Sequence, residues 1–275
     1  MNSSSTSKVS DSSISKETIE LARKLAEKYE SADFLLKDPS QFMHRYTRVW
    51  ECETVAFIAA NLAFGRREQI LSHVEKILEV AGSSPLEWIL NQKYKDFFPE
   101  NNISFYRMYT NRDMRLFFDT MRGILDENES LGVFFKKKWE NTLNEQVSGD
   151  EKACKIYLHQ VIASAFPCDC ALLPHSKDSA AKKVNMLLRW LVRDNSPVDM
   201  GLWTWYSKKD LLMPLDTHVM QESNELGLVH SKSANLRTAI ELTKKVAEIF
   251  PDDPVKADFA LFGLGVDSSL PRSAL

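Results

Sequence analysis

A stripe of apolar residues along residues 182–193 constrains the fold of this chain more than any other feature. Val184, Leu187 and Leu191 recur at i, i+3 and i+7, which predicts one buried face of a helix. Residues 53–64, which include the stretch VAFIAANLAF, are apolar almost all round, which predicts a second, fully buried helix. The chain has only nine glycines among 275 residues, too few for a turn-rich all-β protein. The sequence therefore predicts an all-α fold.

The composition predicts one globular domain between two tails. Hydrophobic residues make up 44% of the chain and charged residues 27%, which is usual for a soluble domain. We expect a disordered tail at residues 1–14, a single helical domain at 15–265 and a C-terminal tail at 266–275. The longest apolar run is too short to cross a bilayer, and the serine-rich N-terminus has no apolar signal region. We therefore expect an intracellular protein that does not enter a membrane.

The other face of the helix at residues 182–193 is basic. It carries Lys182, Arg189 and Arg193, with Lys183 beside the first of them and no acid before Asp194. Such a run predicts either an exposed surface for phosphates or a face that is merely solvated. The net charge of −3 does not decide between them, because phosphate binding depends on a local basic surface.

Two adjacent arginines, Arg66 and Arg67, separate the buried helix from an amphipathic helix predicted at residues 68–80. Gly65 before them predicts the C-terminus of the buried helix. Because the first N–H groups of a helix are free, this corner is a candidate phosphate clamp. The alternative is a glycine cap followed by two solvated arginines.

An aspartate in the segment PLDTHV, residues 214–219, is predicted to begin another helix. Asp216 stands at the N-cap position, where a side-chain oxygen accepts backbone N–H groups. Lys182 lies in the first turn of its own helix, so both groups are predicted at positive helix ends. There the dipole favours a carboxylate and disfavours an ammonium. A neutral amine opposite a carboxylate is the arrangement that imine-forming chemistry needs.

These motifs resemble those of a family of DNA repair enzymes. PLDTHV resembles the aspartate segment of the helix-hairpin-helix, Gly/Pro…Asp DNA glycosylases, and Leu173-Pro174 followed by Lys182 and Asn185 is similar to their hairpin. The segments DPSQFMHRY, FIAANLAFGRR, NMLLRWLVR, PLDTH and DFALFGLG are more similar still to an uncharacterised family, a domain of unknown function. That family is related to the archaeal 8-oxoguanine DNA glycosylase branch. Residues 175–179, HSKDS, depart from the pattern, because they replace a glycine-rich hairpin.

The resemblance implies a two-lobed, all-α fold with a cleft between the lobes. Lys182 matches the nucleophile that attacks the sugar, and Asp216 matches the essential carboxylate. The implied function is a base-excision DNA glycosylase with AP lyase activity through a lysine imine, acting on a damaged base such as an oxidised purine. We expect a monomer whose partner is damaged double-stranded DNA. The predicted DNA-binding residues are Lys183, Asn185, Arg189, Arg66, Arg67 and His218.

We expect neither a metal nor a cofactor. The cysteines stand at positions 52, 154, 168 and 170, and no second pair follows the last two. Several glycosylases of the superfamily carry a four-cysteine iron–sulfur loop near the C-terminus, but this chain has no cysteine after Cys170. His218 follows Asp216 by two residues, yet the other histidines lack ligand spacing, so a metal hydrolase is not favoured.

Two other functions remain open. A non-catalytic nucleic-acid-binding protein on the same helical scaffold is favoured by the glycine-free segment 175–179, because close approach of backbone to phosphate usually needs glycine. A member directed at RNA is the second. Trp203 and Trp205 are candidates for a base pocket, but core packing is the better prediction for each.

Overall fold

The computed structural model describes residues 14–147 and 155–266. Helix accounts for 61% of the structure and strand for 3%, which confirms the all-α prediction. None of the helices in these two ranges combines the length and the apolarity that crossing a bilayer requires.

The chain forms a succession of short and medium helices, interrupted by one two-stranded hairpin. The helices are α1 (Lys16–Tyr29), α2 (Ala32–Leu35), α3 (Val49–Leu62), α4 (Arg67–Ala81), α5 (Pro85–Leu90), α6 (Tyr94–Phe97), α7 (Asn111–Glu127), α8 (Leu131–Val147), α9 (Leu158–Ala163), α10 (Lys182–Val192), α11 (Thr217–Glu225), α12 (Leu236–Val246) and α13 (Ala257–Val266). The strands are β1 (Ser104–Tyr106) and β2 (Tyr109–Thr110), which pair antiparallel. Short 3₁₀ helices occupy Pro39–Arg45, Lys208–Asp210 and Pro254–Lys256.

Helix α3 is the centre of the main hydrophobic core. Its residues from 51 to 62 are buried, and α4, α5, α8 and α10 pack against it. The buried helix predicted at residues 53–64 is confirmed, with bounds shifted to Val49–Leu62, and its first turns also bury acids that have hydrogen-bond partners. Glu53 accepts hydrogen bonds from the Gly132 amide at 3.0 Å and the Trp203 indole at 2.8 Å. Burial raises the pKa of the Glu53 carboxyl, and these two donors compensate part of that cost.

The aromatic segment between α4 and α8 forms core. Phe117 and Phe118 are fully buried, and Tyr106 and Tyr109 are 2% and 5% exposed. Trp203 is likewise a core residue, at 1% exposure. The pairing of β1 with β2 was not predicted, because its aromatic residues recur at near-helical spacing.

Helices α1 and α13 pack along each other and bring the two ends of the described chain together. Helix α1 begins with a side-chain cap, because the Ser15 hydroxyl accepts the Thr18 amide at 3.1 Å. A Cβ atom at Gly263 of α13 would lie 2.3 Å from the Tyr29 ring, so the close approach of the two helices requires glycine there. A small cluster of buried apolar residues lies at the contact between α1 and α13 and consists of Ala22, Leu25, Ala26, Ile249, Ala260 and Leu264.

Several predicted boundaries differ from the structure. The polar residues at 141–151 predict a boundary between lobes, but α8 continues as far as Val147, because an exposed helix face is also polar. The next helix, α9, begins at Leu158. Ile14, placed in the N-terminal tail, packs partly buried against the core. Residues 1–13, 148–154 and 267–275, and with them most of both predicted tails, lie outside the described residues.

Candidate functional site

Lys182 and Asp216 face each other at the starts of two helices. Helix α10 begins at Lys182, and Asp216 is the N-cap of α11, as predicted. The Lys182 Nζ atom lies 3.9 Å from Asp216 Oδ2, and the side chains are 31% and 38% exposed. Asp216 Oδ1 accepts the His218 and Val219 amides at 3.0 Å each. One carboxylate oxygen therefore holds the helix start, while the other faces the amine.

The pair lies where two cavities meet, because Lys182, Asp216 and His218 line both of them. The larger cavity has a volume of about 530 Å³. Its wall also includes Phe64, Gly65, Met108, Tyr109, Pro174, Ser179 and Ala234. The smaller cavity has a volume of about 250 Å³. Its wall also includes Phe34, Asp38, Arg67, Met186, Asp258 and Phe262.

The smaller cavity combines aromatic rings with carboxyl groups. The rings of Phe34 and Phe262 meet edge to face, with centroids 5.0 Å apart. Asp38 Oδ1 accepts the Ser40 amide at 3.0 Å, and Asp258 Oδ2 accepts a guanidinium N–H of Arg189. Burial raises the pKa of the Asp258 carboxyl. Each of the two acids keeps a second oxygen with acceptor capacity, so the cavity suits a flat ligand that donates hydrogen bonds.

The turn before Lys182 is held by the Asn185 side chain. Ala181, at the N-cap of α10, has the left-handed values φ 46 and ψ 43. Asn185 Nδ2 donates to the Ala180 carbonyl at 2.8 Å, and the Ser179 hydroxyl accepts the Ala181 amide at 3.1 Å. Asn185 is 1% exposed, so the prediction that it contacts DNA is wrong. Its place in the structure is to position the lysine.

Lys183 turns into the protein instead of toward solvent. Its ammonium nitrogen donates to the carbonyls of Asn61, at 3.0 Å, and Leu172, and to the Tyr109 hydroxyl at 2.9 Å. Burial lowers the pKa of the Lys183 amine to about 7. Lys183 is half-buried and lines the larger cavity; its three N–H donors already have acceptors in the protein, and its contact with DNA stays a prediction. It ties α10 to the last turn of α3 and to β2.

The basic face predicted for α10 is also buried. Arg189 and Arg193 have side chains 3% and 2% exposed, and both donate to Asp199. Their acidic partners are Asp199, Asp253, Asp258 and Glu30. The predictions of a solvated basic face and of a DNA contact through Arg189 are therefore wrong. Buried guanidinium groups require such pairing, and here it fixes α10 against α1 and α13.

Three predicted DNA-binding residues remain accessible. Arg66 and Arg67 are exposed at the start of α4, and no side-chain hydrogen bond from Arg66 caps that helix. The Arg67 guanidinium lies over the Phe262 ring at 5.4 Å. His218 is exposed between the two cavities. Phosphate contact by these three side chains stays a prediction.

The sequence reasoning missed several residues that line the smaller cavity, among them two acids and an aromatic ring. Asp38 lies in the segment DPSQFMHRY, and Asp258 and Phe262 lie in DFALFGLG. Both segments belong to the motifs that resemble the uncharacterised family, and this resemblance was the signal that could have indicated these residues. Neither has a spacing that predicts chemistry by itself. Among the described residues, no group of three or more His, Cys, Asp or Glu side chains is placed to hold a metal ion.

The model of one protein family matches residues 38–267, and this family is described as a protein of unknown function, DUF2400. The chain belongs to the DUF2400 family. This confirms the expected uncharacterised family, and the part of this DUF2400 chain that matches contains both members of the lysine–aspartate pair. No curated protein and no solved structure matches the chain.

Proposed function

We propose that this DUF2400 chain is a base-excision DNA glycosylase with AP lyase activity that acts on a damaged base in double-stranded DNA. The observation that supports it most is the Lys182–Asp216 pair at the junction of two cavities. An enzyme that acts on a base in a duplex needs a surface for the strands and a separate pocket for the base rotated out of the stack. The larger cavity is suited to the strand and the smaller one to the base.

The two-lobed arrangement of the glycosylases belongs to the same proposal. In it, α1, α2 and α13 form one lobe, and the helices packed around α3 form the other. The smaller cavity has residues of both groups in its wall, such as Phe34 and Phe262 on one side and Met186 on the other. A pocket between lobes is a common place for a ligand, because neither lobe alone has to enclose it.

The smaller cavity supports an oxidised purine as the substrate. Its aromatic rings offer surfaces against which a flat base packs. Asp38 and Asp258 offer carboxyl oxygens, which accept N–H donors. Oxidation of the imidazole ring of a purine replaces a nitrogen acceptor by an N–H donor, so the damaged base presents one more donor to these acids than the intact base does.

In the proposed reaction the Lys182 amine attacks C1′ of the damaged nucleotide. The new C1′–N bond forms as the glycosidic bond breaks, and the electron pair of that bond leaves with the base, which takes up a proton. Asp216 accepts the proton that the amine loses and stabilises the positive charge that develops on the sugar. The imine formed after ring opening then allows loss of a proton from C2′ and cleavage of the C3′–O bond. The distance of 3.9 Å between amine and carboxylate is one that binding of substrate would shorten.

Borohydride trapping on a panel of lesion-bearing duplexes tests the nucleophile. Wild-type protein should form a covalent adduct, Lys182→Ala should form none, and Lys183→Met should still form it. The second variant is the matched control, because Lys183 is the adjacent amine and its pKa of about 7 makes it the rival nucleophile. An adduct that persists in Lys182→Ala and disappears in Lys183→Met would show that the nucleophile is Lys183 and not Lys182.

Asp216→Asn separates chemistry from folding. Asparagine keeps the oxygen that caps the His218 and Val219 amides, but it removes the charge that faces Lys182. We expect base removal to slow by about 10²- to 10⁴-fold with an almost unchanged Kd for a duplex that contains an abasic analogue. Full activity of Asp216→Asn would contradict the proposed mechanism.

A non-catalytic nucleic-acid-binding protein is the second candidate, and the glycine-free segment 175–179 favours it. Such a protein would bind duplex or RNA without adduct formation on any lesion. It would also lose no measurable function in Lys182→Ala. The same panel of duplexes, with RNA added as a competitor, distinguishes the two candidates.

A further inference from the structure

Met108 is an exposed apolar side chain on the wall of the larger cavity. It is 58% exposed and lines the same cavity as Lys182 and Asp216. Methionine is among the residues most often buried, and this one shares a cavity wall with a charged pair. Its position therefore offers an apolar contact to whatever occupies the larger cavity.

The turn that carries Met108 is braced from both sides. It joins β1 to β2, and the preceding residue, Arg107, has a left-handed φ of 53. The Ser104 hydroxyl donates to the Arg107 carbonyl at 2.7 Å, and the Tyr106 hydroxyl donates to the Phe64 carbonyl at 2.5 Å. Tyr106 is itself buried in the core. These hydrogen bonds fix the backbone of the turn, which keeps the Met108 side chain exposed.

Cationic groups surround this apolar tip. The Arg107 guanidinium lies over the ring of Phe64 at 4.8 Å, and that ring is 44% exposed. A Cβ atom at Gly65 would lie 2.6 Å from the Arg107 side chain, so the glycine leaves room for it. Arg66 follows as an exposed residue. An apolar tip flanked by arginines matches a nucleic-acid duplex, whose phosphates are anionic and whose base stack is apolar.

We propose that Met108 is a wedge that enters the base stack of a DNA duplex and fills the gap left by the rotated base. The inference rests on the proposed glycosylase function and adds a positioning residue to it. Rotating a base out of a duplex costs stacking energy, and an apolar side chain inserted between base steps compensates part of it. An unbranched, flexible methionine side chain fits such an irregular space.

Met108→Ala removes the wedge, and Ile103→Ala is its matched control. Ile103 is also an exposed apolar residue, 67% exposed, next to the same hairpin, but it does not line the cavity. The probe is a duplex that carries 2-aminopurine opposite a stable abasic analogue. Wild-type protein and Ile103→Ala should change the fluorescence of the 2-aminopurine on binding, because insertion disturbs its stacking. Met108→Ala should bind without that change.

Single-turnover excision gives the second readout. On a lesion-bearing duplex, Met108→Ala should be slower than wild type by about tenfold or more, which corresponds to about 1.4 kcal/mol of lost transition-state stabilisation. On the same lesion in a single strand, which needs no wedge, the two rates should agree. Equal rates on the duplex would overturn the wedge and leave the glycosylase proposal intact.

Failure of the proposed function has a different outcome. If wild-type protein excises no lesion from either substrate, the glycosylase proposal fails, and the fluorescence experiment then decides the role of Met108 alone. A change that depends on Met108 would support insertion by a non-catalytic binder. An equal change in Met108→Ala, or none with wild type, would overturn the wedge.

Discussion

Replacing Asp199 by asparagine should destabilise the protein through the buried ion network of α10. The Asp199 side chain is 0% exposed, and it lies between two arginines. Its Oδ1 atom accepts from Arg189 at 3.2 Å, and its Oδ2 atom accepts from Arg193. Asparagine keeps the size of the side chain, so the substitution leaves no cavity. It removes the one charge that both guanidinium groups share.

The size of the effect follows from burial. Removing one partner of a buried ion pair costs about 3–5 kcal/mol, because the other charge stays buried and less well paired. Arg189 retains Asp258, and Arg193 retains Asp253. We therefore expect the lower end of that range, about 3 kcal/mol in the free energy of unfolding. Total stability of a domain is about 5–15 kcal/mol, so the variant should still fold.

Glu75→Gln is the matched control for burial. Glu75 pairs with Arg45 at 2.7 Å, but the two side chains are 38% and 43% exposed. Solvent screens such a pair, and its loss should cost no more than about 1 kcal/mol. Urea unfolding measures both variants, with the midpoint and the slope fitted separately. If Asp199→Asn loses no more stability than Glu75→Gln, the network does not hold α10 as argued.

Three further substitutions test the burial of Lys183 and the packing of two glycines. The free energy of unfolding of wild type should rise relative to that of Lys183→Met between pH 7 and about 8.5. The reason is that the folded amine loses its proton near pH 7, whereas the amine of the unfolded chain keeps it to about pH 10.4. If urea unfolding gives the same difference between the two proteins across this range, the lowered pKa is contradicted. Gly132→Ala should cost about 1–3 kcal/mol, because the new Cβ would lie 2.3 Å from the Glu53 carboxylate and 2.6 Å from the Trp203 indole. In Gly123→Ala the new Cβ atom would meet nothing within 4 Å, so this variant should instead stabilise α7 by up to about 1 kcal/mol. Equal stability of the two glycine variants in thermal or urea unfolding would refute the steric reasoning.

The helices that carry the site could be predicted because their signals are local. The apolar stripe of α10 and the side-chain cap of α11 each depend on residues within one or two turns, so Lys182 and Asp216 were placed correctly at helix starts. The hairpin of β1 and β2 could not be predicted in the same way. Tyr106 and Tyr109 are three residues apart, which is also the spacing of a helix face, and the turn between them has no glycine. Over so few residues, the periodicity of a helix cannot be distinguished from that of a strand.

The partners of the basic residues could not be read from the helix itself. A helical pattern gives the angle at which Arg189 and Arg193 project, but not what packs there. Their partners Asp253 and Asp258 lie 60 and 69 residues further along the chain, and the packing of the 3₁₀ helix Pro254–Lys256 and of α13 brings them back beside α10. Lys183 shows the same limit, because its acceptors come from α3, β2 and the segment before α10. Whether a basic side chain meets solvent or a buried acid is decided by tertiary packing.

Under the proposed function, the glycine-free segment before Lys182 changes which groups of this site can contact a strand. Its backbone is tied to the protein, since the Ser179 amide donates to the Ser176 carbonyl, and Asp178 accepts the Leu236 amide at 2.8 Å. Ala181 has a left-handed conformation, which glycine would adopt without strain. The hydrogen bond from the Asn185 side chain to the Ala180 carbonyl compensates for this strain. The Ser179 and Ala181 amides are engaged in this way and are not free to bind a phosphate, as those of a glycine-rich hairpin would be. Under the proposed function, we therefore expect the contacts to a strand to come from exposed side chains, namely Arg66, Arg67, Arg107, Met108 and His218. Affinity for DNA in this DUF2400 chain should accordingly depend on side-chain charge and on the Met108 contact more than on backbone amides.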